Sequence, residues 1–285
     1  MIPRFSVIIP CYNQAHFLSE ALDSVLAQSL DPQVIVVDDG STDCTSEVAE
    51  SYGRRIVLVR QANSGLPAAR NAGILQADGD YLVFLDSDDA LRPDYLSRAA
   101  TLLSREPEID VLHVRADVVD MGGRIVASFG GADLGTDPFG RLLEGNDGPP
   151  NTWIVRRSLL ARTGLFDPSL RSCEDWDLWL RCALVGARFQ TDETIVAVYR
   201  DVPGSMSKQI ETMWRSFRTV LFRYANSRNS REDRLKAARA VRRRARGYRA
   251  VLWRHWRQGQ RTEVLRILRR NPSMLVHILL TVGAR

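Results

Sequence analysis

Cysteine is scarce in this chain: four in 285 residues, Cys11, Cys44, Cys173 and Cys182, and no two form a Cys-x-x-Cys pair. That spacing argues against a structural zinc site, and without a disulfide framework a reducing compartment is the expectation. Histidine is scarce too. His16, His113, His255 and His277 lie far apart, so no histidine cluster suggests a metal centre or a nucleophile–base pair. No run reaches the roughly 18 apolar residues of a membrane-spanning helix. The apolar stretch Phe5 to Pro10 is too short for a signal peptide and leads into Asn13 and Gln14. No internal repeat stands out. The expected location is the cytoplasm, or a peripheral position at the inner face of the plasma membrane.

Apolar material is ample, at 45% of residues, enough for one large domain or a domain with an appendage. Charge is unevenly spread. Residues 1–205 carry 18 Lys and Arg against 30 Asp and Glu, whereas residues 206–285 carry 21 against 4. An acidic body suits cation binding, and a basic tail suits an anionic partner.

The first hundred residues alternate two periodicities. Phe5 to Ile9, Val34 to Val37, Ile56 to Val59 and Tyr81 to Leu85 read as buried strands. Ala15 to Gln28, Leu66 to Gln76 and Pro93 to Ser104 read as helices, with Thr42 or Asp43 capping another after the second strand. This rhythm implies a parallel, doubly wound sheet, whose ligands bind beyond the strand C-termini. Further strands are expected at Val111 to Val114, Thr152 to Val155 and Thr194 to Val198. A hairpin turn is expected at Met121 to Arg124, a loop at Gly145 to Pro150 and a helix at Asp175 to Val185. Composition changes near Pro203-Gly204, which divides a domain of residues 1–207 from a basic helical region of residues 208–285.

Four segments carry the chemistry. Asp86-Ser-Asp88-Asp89 follows a strand, where alternating carboxylates can converge on a hard cation such as Mg²⁺ or Mn²⁺. Asp38-Asp39-Gly40-Ser41 also ends a strand; a carboxylate there can accept a base N–H. Asn63 to Asn71 is a glycine turn feeding a helix that carries Arg70, suited to phosphate or base contacts. Cys173-Glu174-Asp175-Trp176-Asp177 opens a helix with three carboxylates, one of which can be a general base, and Trp176 and Trp179 offer faces for a sugar. Each segment alone also suits a bland role: a solvated turn, a helix cap, a small-residue packing helix, or acids favoured by the helix dipole.

Jointly, these segments resemble family 2 glycosyltransferases. The matching pieces are Val7 to Asn13, Val36 to Asp43, Gly65 to Asn71, Asp86 to Asp89, Gly164 to Asp167, and Glu174-Asp175, within residues 4–207. The resemblance implies a GT-A fold: α/β, Rossmann-like, a mostly parallel sheet flanked by helices, here with a basic α-helical C-terminal extension. It implies an inverting transferase that moves a sugar from a nucleoside-diphosphate-sugar, a UDP- or dTDP-sugar, to a hydroxyl of a glycan or lipid-linked acceptor, in bacterial cell-surface polysaccharide or glycoconjugate synthesis. By the same resemblance Pro10 and Tyr12 line the nucleotide pocket, with Asn13 and Ser87 beside them. Asp39 holds uracil or thymine through N3–H, Arg70 sits near base and phosphates, and Asp86 lies by the ribose and diphosphate. Asp88 ligates the divalent metal, Mn²⁺ or Mg²⁺. Asp175 is the catalytic base, with Glu174 placing the acceptor.

Two departures from the family pattern stand out. Val202 occupies the position where a histidine able to reach the metal or diphosphate is common, leaving Asp201, Ser205 or water as substitutes. No Gln-x-x-Arg-Trp segment is present, so transfer of one or a few sugars is expected rather than long-chain polymerisation. Two other functions compete. A nucleotidyltransferase needs a Gly-rich phosphate loop, which Pro10 to Gln14 lacks; a catalytically silent sugar-nucleotide-binding scaffold would bind donor without transfer.

The tail is dense in arginine around Arg242-Arg-Arg244, followed by Trp253 and Trp256, Arg269-Arg270 and the apolar run Met274 to Val282. It suits an anionic membrane surface, and equally a helical hairpin that packs on the catalytic domain or forms a homo-oligomer. No nucleic-acid-binding module accompanies the charge, so no nucleic-acid partner is expected.

Overall fold

A computed structural model of the chain describes residues 2–280. β1 (Phe5–Cys11) is buried throughout, as a strand covered on both faces must be. α1 (Ala15–Leu26) buries Phe17, Leu18, Ala21, Leu22 and Val25, one stripe at helical spacing. β2 (Gln33–Asp38), α2 (Thr45–Glu50), β3 (Val57–Arg60), α3 (Leu66–Gln76) and β4 (Tyr81–Phe84) follow. At α2 it is Asp43, not Thr42, whose carboxylate accepts the N–H of Thr45, at 3.0 Å. The four strands are parallel, in the spatial order β3-β2-β1-β4. The small residues of α3 have a purpose: a Cβ at Gly73 would collide with the Ile8 side chain and crowd Val37. This close approach carries Arg70 to the C-terminal edge of the sheet.

Beyond β4 the sheet is mixed. β5 (Ala90–Leu91), α4 (Tyr95–Arg105), β6 (Val111–Val119), β7 (Ile125–Gly130), α5 (Pro138–Leu142), β8 (Trp153–Arg156), α6 (Leu160–Thr163), α7 (Glu174–Leu184) and β9 (Phe189–Arg200) complete the body. β8 runs antiparallel to β4 and β6, β9 lies parallel to β6, and β5 antiparallel to β9. The sheet is not parallel throughout: β8 enters between β4 and β6 running against both, and β6 and β7 are joined by a tight hairpin, whose short connection permits only antiparallel pairing. The turn falls at Met121 to Arg124 as expected, with Asp120 Oδ1 accepting from the N–H groups of Gly122 (2.9 Å) and Arg124 (3.0 Å). β6 and β9 are longer than their apolar cores suggest, because they pair with each other.

α8 (Ile210–Tyr224), α9 (Arg231–Arg257), α10 (Arg261–Arg270) and α11 (Pro272–Leu279) form the basic region. Of the apolar run Met274 to Val282, Thr281 and Val282 lie outside the described residues. The coil between β9 and α8 coincides with the composition change, but the core does not stop there. Val7 and Ile9 of β1 face one core with α1 and α4; Ile8 faces another, which continues through Trp176 and Trp179 of α7 to Phe217, Ala240, Leu252 and Ile278. The basic helices are thus packed on the catalytic body through one shared core. None of the described helices is long and apolar enough to cross a membrane.

Candidate active site

Because β1, β2 and β4 are parallel and in register, their C-terminal ends open on one edge, and Pro10, Asp39 and Asp86 meet there. Together with the start of α7 they line a cleft of about 1270 Å³. Asp39 is almost wholly buried. Its Oδ1 accepts from Gln61 Nε2 (2.7 Å) and the Ser64 N–H (2.8 Å), and its Oδ2 from the Gly65 N–H (2.8 Å). The carboxylate thereby anchors the N-terminus of α3, where negative charge is favoured. Gly40 beside it has φ +77°, and a Cβ there would stand 2.8 Å from the Asn63 nitrogen; the turn admits glycine for this reason. Asp38 is committed elsewhere, to the Ser41 N–H at 2.9 Å and to the Ser46 hydroxyl.

Arg70 ties the two acidic motifs together. Its guanidinium donates to Asp86 Oδ1 at 2.6 Å and, on the other side, to Glu174 Oε1, while lying over the Phe166 ring at 5.4 Å. Burial works against this charge, but Asp86, Glu174 and Asp175 outweigh it and hold the proton more firmly. Segments 16 and 104 residues away from Arg70 are so brought to one point.

Cys173 precedes α7 in the left-handed region, at φ 61°, and the first turn of the helix carries Glu174, Asp175 and Asp177. The three carboxylates differ in use. Asp177 is fully buried and structural, paired with Arg181 (2.8 Å), Arg223 (2.8 Å) and the Tyr224 hydroxyl (2.9 Å). Glu174 belongs to Arg70. Asp175 lines the cleft, and its Oδ2 accepts from Asn146 Nδ2 at 2.7 Å. Burial, then the neighbouring Glu174, raise its pKa to about 7, against the pull of Arg70 and Asn146. A carboxyl poised there can take a proton near neutrality.

Asp88 also lines the cleft. No described side chain donates to its carboxylate, and burial followed by the charge of Asp86 raises it to about 6. Asp89 is structural, accepting the Arg200 N–H (2.8 Å) and Asn151 Nδ2 (3.1 Å). Among the described residues no group of three or more His, Cys, Asp or Glu could encage a metal ion. A hard cation that keeps water and phosphate ligands needs only one or two carboxylates, and Asp88, which no described side chain engages, with Asp86 beside it fits that demand.

Several expected contacts differ. Asn13 does not line the cleft; its Oδ1 accepts the Thr42 N–H at 2.8 Å and its own N–H donates to Ser41 Oγ at 3.0 Å, so it pins the β1 loop to the β2 loop. Trp179 is fully buried against Trp153, with centroids 5.1 Å apart, and presents no face to a sugar. Trp176 touches the cleft only at its margin: Phe217 covers its face at 5.2 Å and its Nε1 donates to the Leu142 carbonyl at 2.8 Å. Val202 stays out of the cleft, whereas Ser205 lines it and Asp201 pairs with Lys208 at 2.6 Å. Lining residues that the motifs did not point to include Asn146, Phe129, Tyr199, Phe217 and a stripe of α9 from Ala240 to Val251. The stripe is one helix face, but it includes Arg243 and Arg244, so no apolar pattern marks it in the sequence.

A parallel β-α-β half with an acidic strand-end cluster, closed by a second half that delivers a carboxylate to the same cleft, defines a glycosyltransferase of the GT-A type. Known proteins agree. The profile described as glycosyl transferase family 2 matches residues 6–161, and the chain belongs to that family. The succinoglycan biosynthesis protein ExoO of Rhizobium meliloti is 30% identical over all of this chain and 86% of its own length. The Staphylococcus aureus TarS fragment 1–349 in complex with UDP superposes with TM-score 0.62 at 26% identity, covering 84% of this chain and 71% of that one. GalNAc-T7 with UDP, GalNAc and Mn²⁺ gives TM-score 0.62 at 15% identity over 86% of this chain and 51% of its own, a likeness of fold. Against several other curated relatives the chain spans less than two thirds of their length.

Proposed function

We propose that this glycosyltransferase moves a sugar from a UDP- or dTDP-sugar to a hydroxyl of a glycan or lipid-linked acceptor, with inversion, in polysaccharide or glycoconjugate synthesis. The observation that carries the reading is the Asp86–Arg70–Glu174 bridge, which sets Asp175 in one cleft with Asp39 and Asp88. ExoO, a polysaccharide-synthesis protein by its name, and TarS, solved with UDP, support the pathway class and the donor. Residues 1–207 act as the catalytic unit and residues 208–285 as its helical partner.

In this reading Pro10, Tyr12 and Asp39 receive the nucleotide and Ser87 borders the diphosphate. A divalent cation held by Asp88, with Asp86 beside it, would neutralise charge on the leaving diphosphate. Asp175 takes the acceptor hydroxyl proton as that oxygen attacks the anomeric carbon from the face opposite the diphosphate, and Asn146 fixes the carboxylate in place. Glu174 and Arg70 hold the bridge that aligns both halves. A panel of nucleotide sugars with Mn²⁺, followed by calorimetric binding and slow hydrolysis of donor, tests the reading. Binding and hydrolysis of at least one donor is expected; folded protein indifferent to all of them contradicts it.

The acceptor is reached at a membrane surface. Arg242, Arg246 and Trp253 share the outer face of α9, Trp253 is 60% exposed, and Arg257 and Arg261 lie over the rings of Trp253 and Trp256. Exposed tryptophans among arginines suit an anionic lipid interface.

A further inference from the structure

The half of the cleft beyond Asp175 is walled by the basic region, not by the catalytic motifs. Ala240, Arg243, Arg244, Gly247, Tyr248 and Val251 form one stripe along α9 and face the cleft, with Phe217 of α8. Their spacing of three and four residues is that of a single helix face. The stripe sets Ala240, Gly247, Tyr248 and Val251 beside two of the arginines of this helix, and Gly247 leaves open space where any other residue would place a side chain.

Arg244 is the unusual member. It is half-buried, lies 5.6 Å from the Phe217 ring centroid and 5.2 Å from that of Tyr248, and donates from Nε to the Tyr248 hydroxyl at 3.1 Å. It forms an ion pair with no carboxylate among the described residues. The neighbouring carboxylates are otherwise engaged: Glu174 with Arg70, Asp175 with Asn146, and Asp147 near Arg141 at 3.6 Å and His113 at 4.0 Å. Arg243 donates to the Glu144 carbonyl but is exposed and, among the described residues, lies over no aromatic ring. A guanidinium held by two aromatic rings, with most of its donors unused, is preorganised for a planar or tetrahedral anion. Arg70 cannot serve that anion, because Asp86 and Glu174 occupy it.

We propose that α9 walls the acceptor subsite and that Arg244 recognises an anionic group, a phosphate or a carboxylate, carried by the acceptor near the hydroxyl that is glycosylated. The inference rests on the transferase reading and names its acceptor class: charged, as in a sugar phosphate or an acidic sugar. It also gives the shared core a role, since packing α8 and α9 on α7 fixes Arg244 relative to Asp175.

The test uses the full chain saturated with UDP and Mn²⁺, and ligand-observed NMR titration with glucose 1-phosphate, glucuronate and the neutral methyl glucoside. The expected result is that at least one anion binds about tenfold tighter than methyl glucoside, that Arg244→Met abolishes this preference, and that Arg244→Lys keeps part of it. Which anion is preferred separates phosphate from carboxylate acceptors. UDP affinity, titrated separately, stays within about twofold of wild type in both variants, since the donor lies elsewhere in the cleft. An anion preference that survives in Arg244→Met, no preference in wild type, or a tenfold loss of UDP affinity in Arg244→Met overturns the proposal. Failure of both UDP and dTDP to bind wild type would instead strike the transferase reading, while the anion titration still reads Arg244.

Discussion

Asp175 and Arg70 show how individual side chains set the chemistry. A carboxyl raised by burial and by Glu174 is a better proton acceptor near neutrality than an ordinary one, at a cost to stability. With its folded value near 7 and its unfolded value near 4, Asp175 contributes most to stability below about pH 4, and this contribution is lost as pH rises through about 7. Asp175→Asn should therefore raise the melting temperature at pH 8 and not at pH 4. The same variant should lower kcat by about 10²- to 10⁴-fold with donor affinity little changed. Wild-type kcat/KM should climb with pH through about 7, as the base loses its proton. Calorimetric melting at the two pH values and steady-state kinetics check these together; unchanged transfer in Asp175→Asn excludes it as the base. Arg70→Met should cost about 3–5 kcal/mol in urea unfolding, because Glu174 is left as a buried, unpaired charge. A loss below about 1 kcal/mol would mean that the bridge is not a structural keystone.

At the scale of elements, the parallel half was legible in the sequence because its strands are short apolar runs and α1 carries a 3.6-residue stripe. The acidic motifs were legible because they sit just after those strands. The antiparallel half was less so. β8 and β9 have modest apolar runs, and their pairing with β4, β5 and β6 is a matter of long-range register rather than of local pattern. The exposed β7 has neither a buried face nor a clear alternation. An aromatic beside an acidic motif can face either way: Trp179 turns into the core against Trp153, whereas Trp176 stacks on Phe217 and still borders the cleft. Packing of α3 on β1 offers a direct check. Gly73→Val should destabilise by more than about 1–3 kcal/mol, since the side chain meets Ile8 and Val37 in a filled interior. Wild-type stability in that variant would mean that the helix can move away from the sheet.

Across the whole molecule, an acidic catalytic body and a basic helical region share one hydrophobic core. Cutting the chain after Ser207 would expose Trp176 and its neighbours, so truncation cannot separate membrane binding from folding. Reversing charge on the outer face of α9, with Arg242→Glu and Arg246→Glu, leaves that core intact. Flotation with vesicles containing anionic lipid should fall severalfold in the double variant and in the wild type at high salt, and neutral vesicles should bind neither. Equal flotation throughout would defeat the membrane reading and leave the basic helices a packing role alone.

The central claim is that Asp39, Asp86, Asp88 and Asp175 work on one nucleotide sugar in one cleft. Crystals grown with UDP and MnCl₂ and measured for manganese anomalous scattering test it most directly. The account predicts a single manganese peak within bonding distance of an Asp88 oxygen, the uracil against Asp39, and Asp175 facing the diphosphate across the space for a sugar. UDP bound on another face, or manganese with no contact to Asp88, would contradict it.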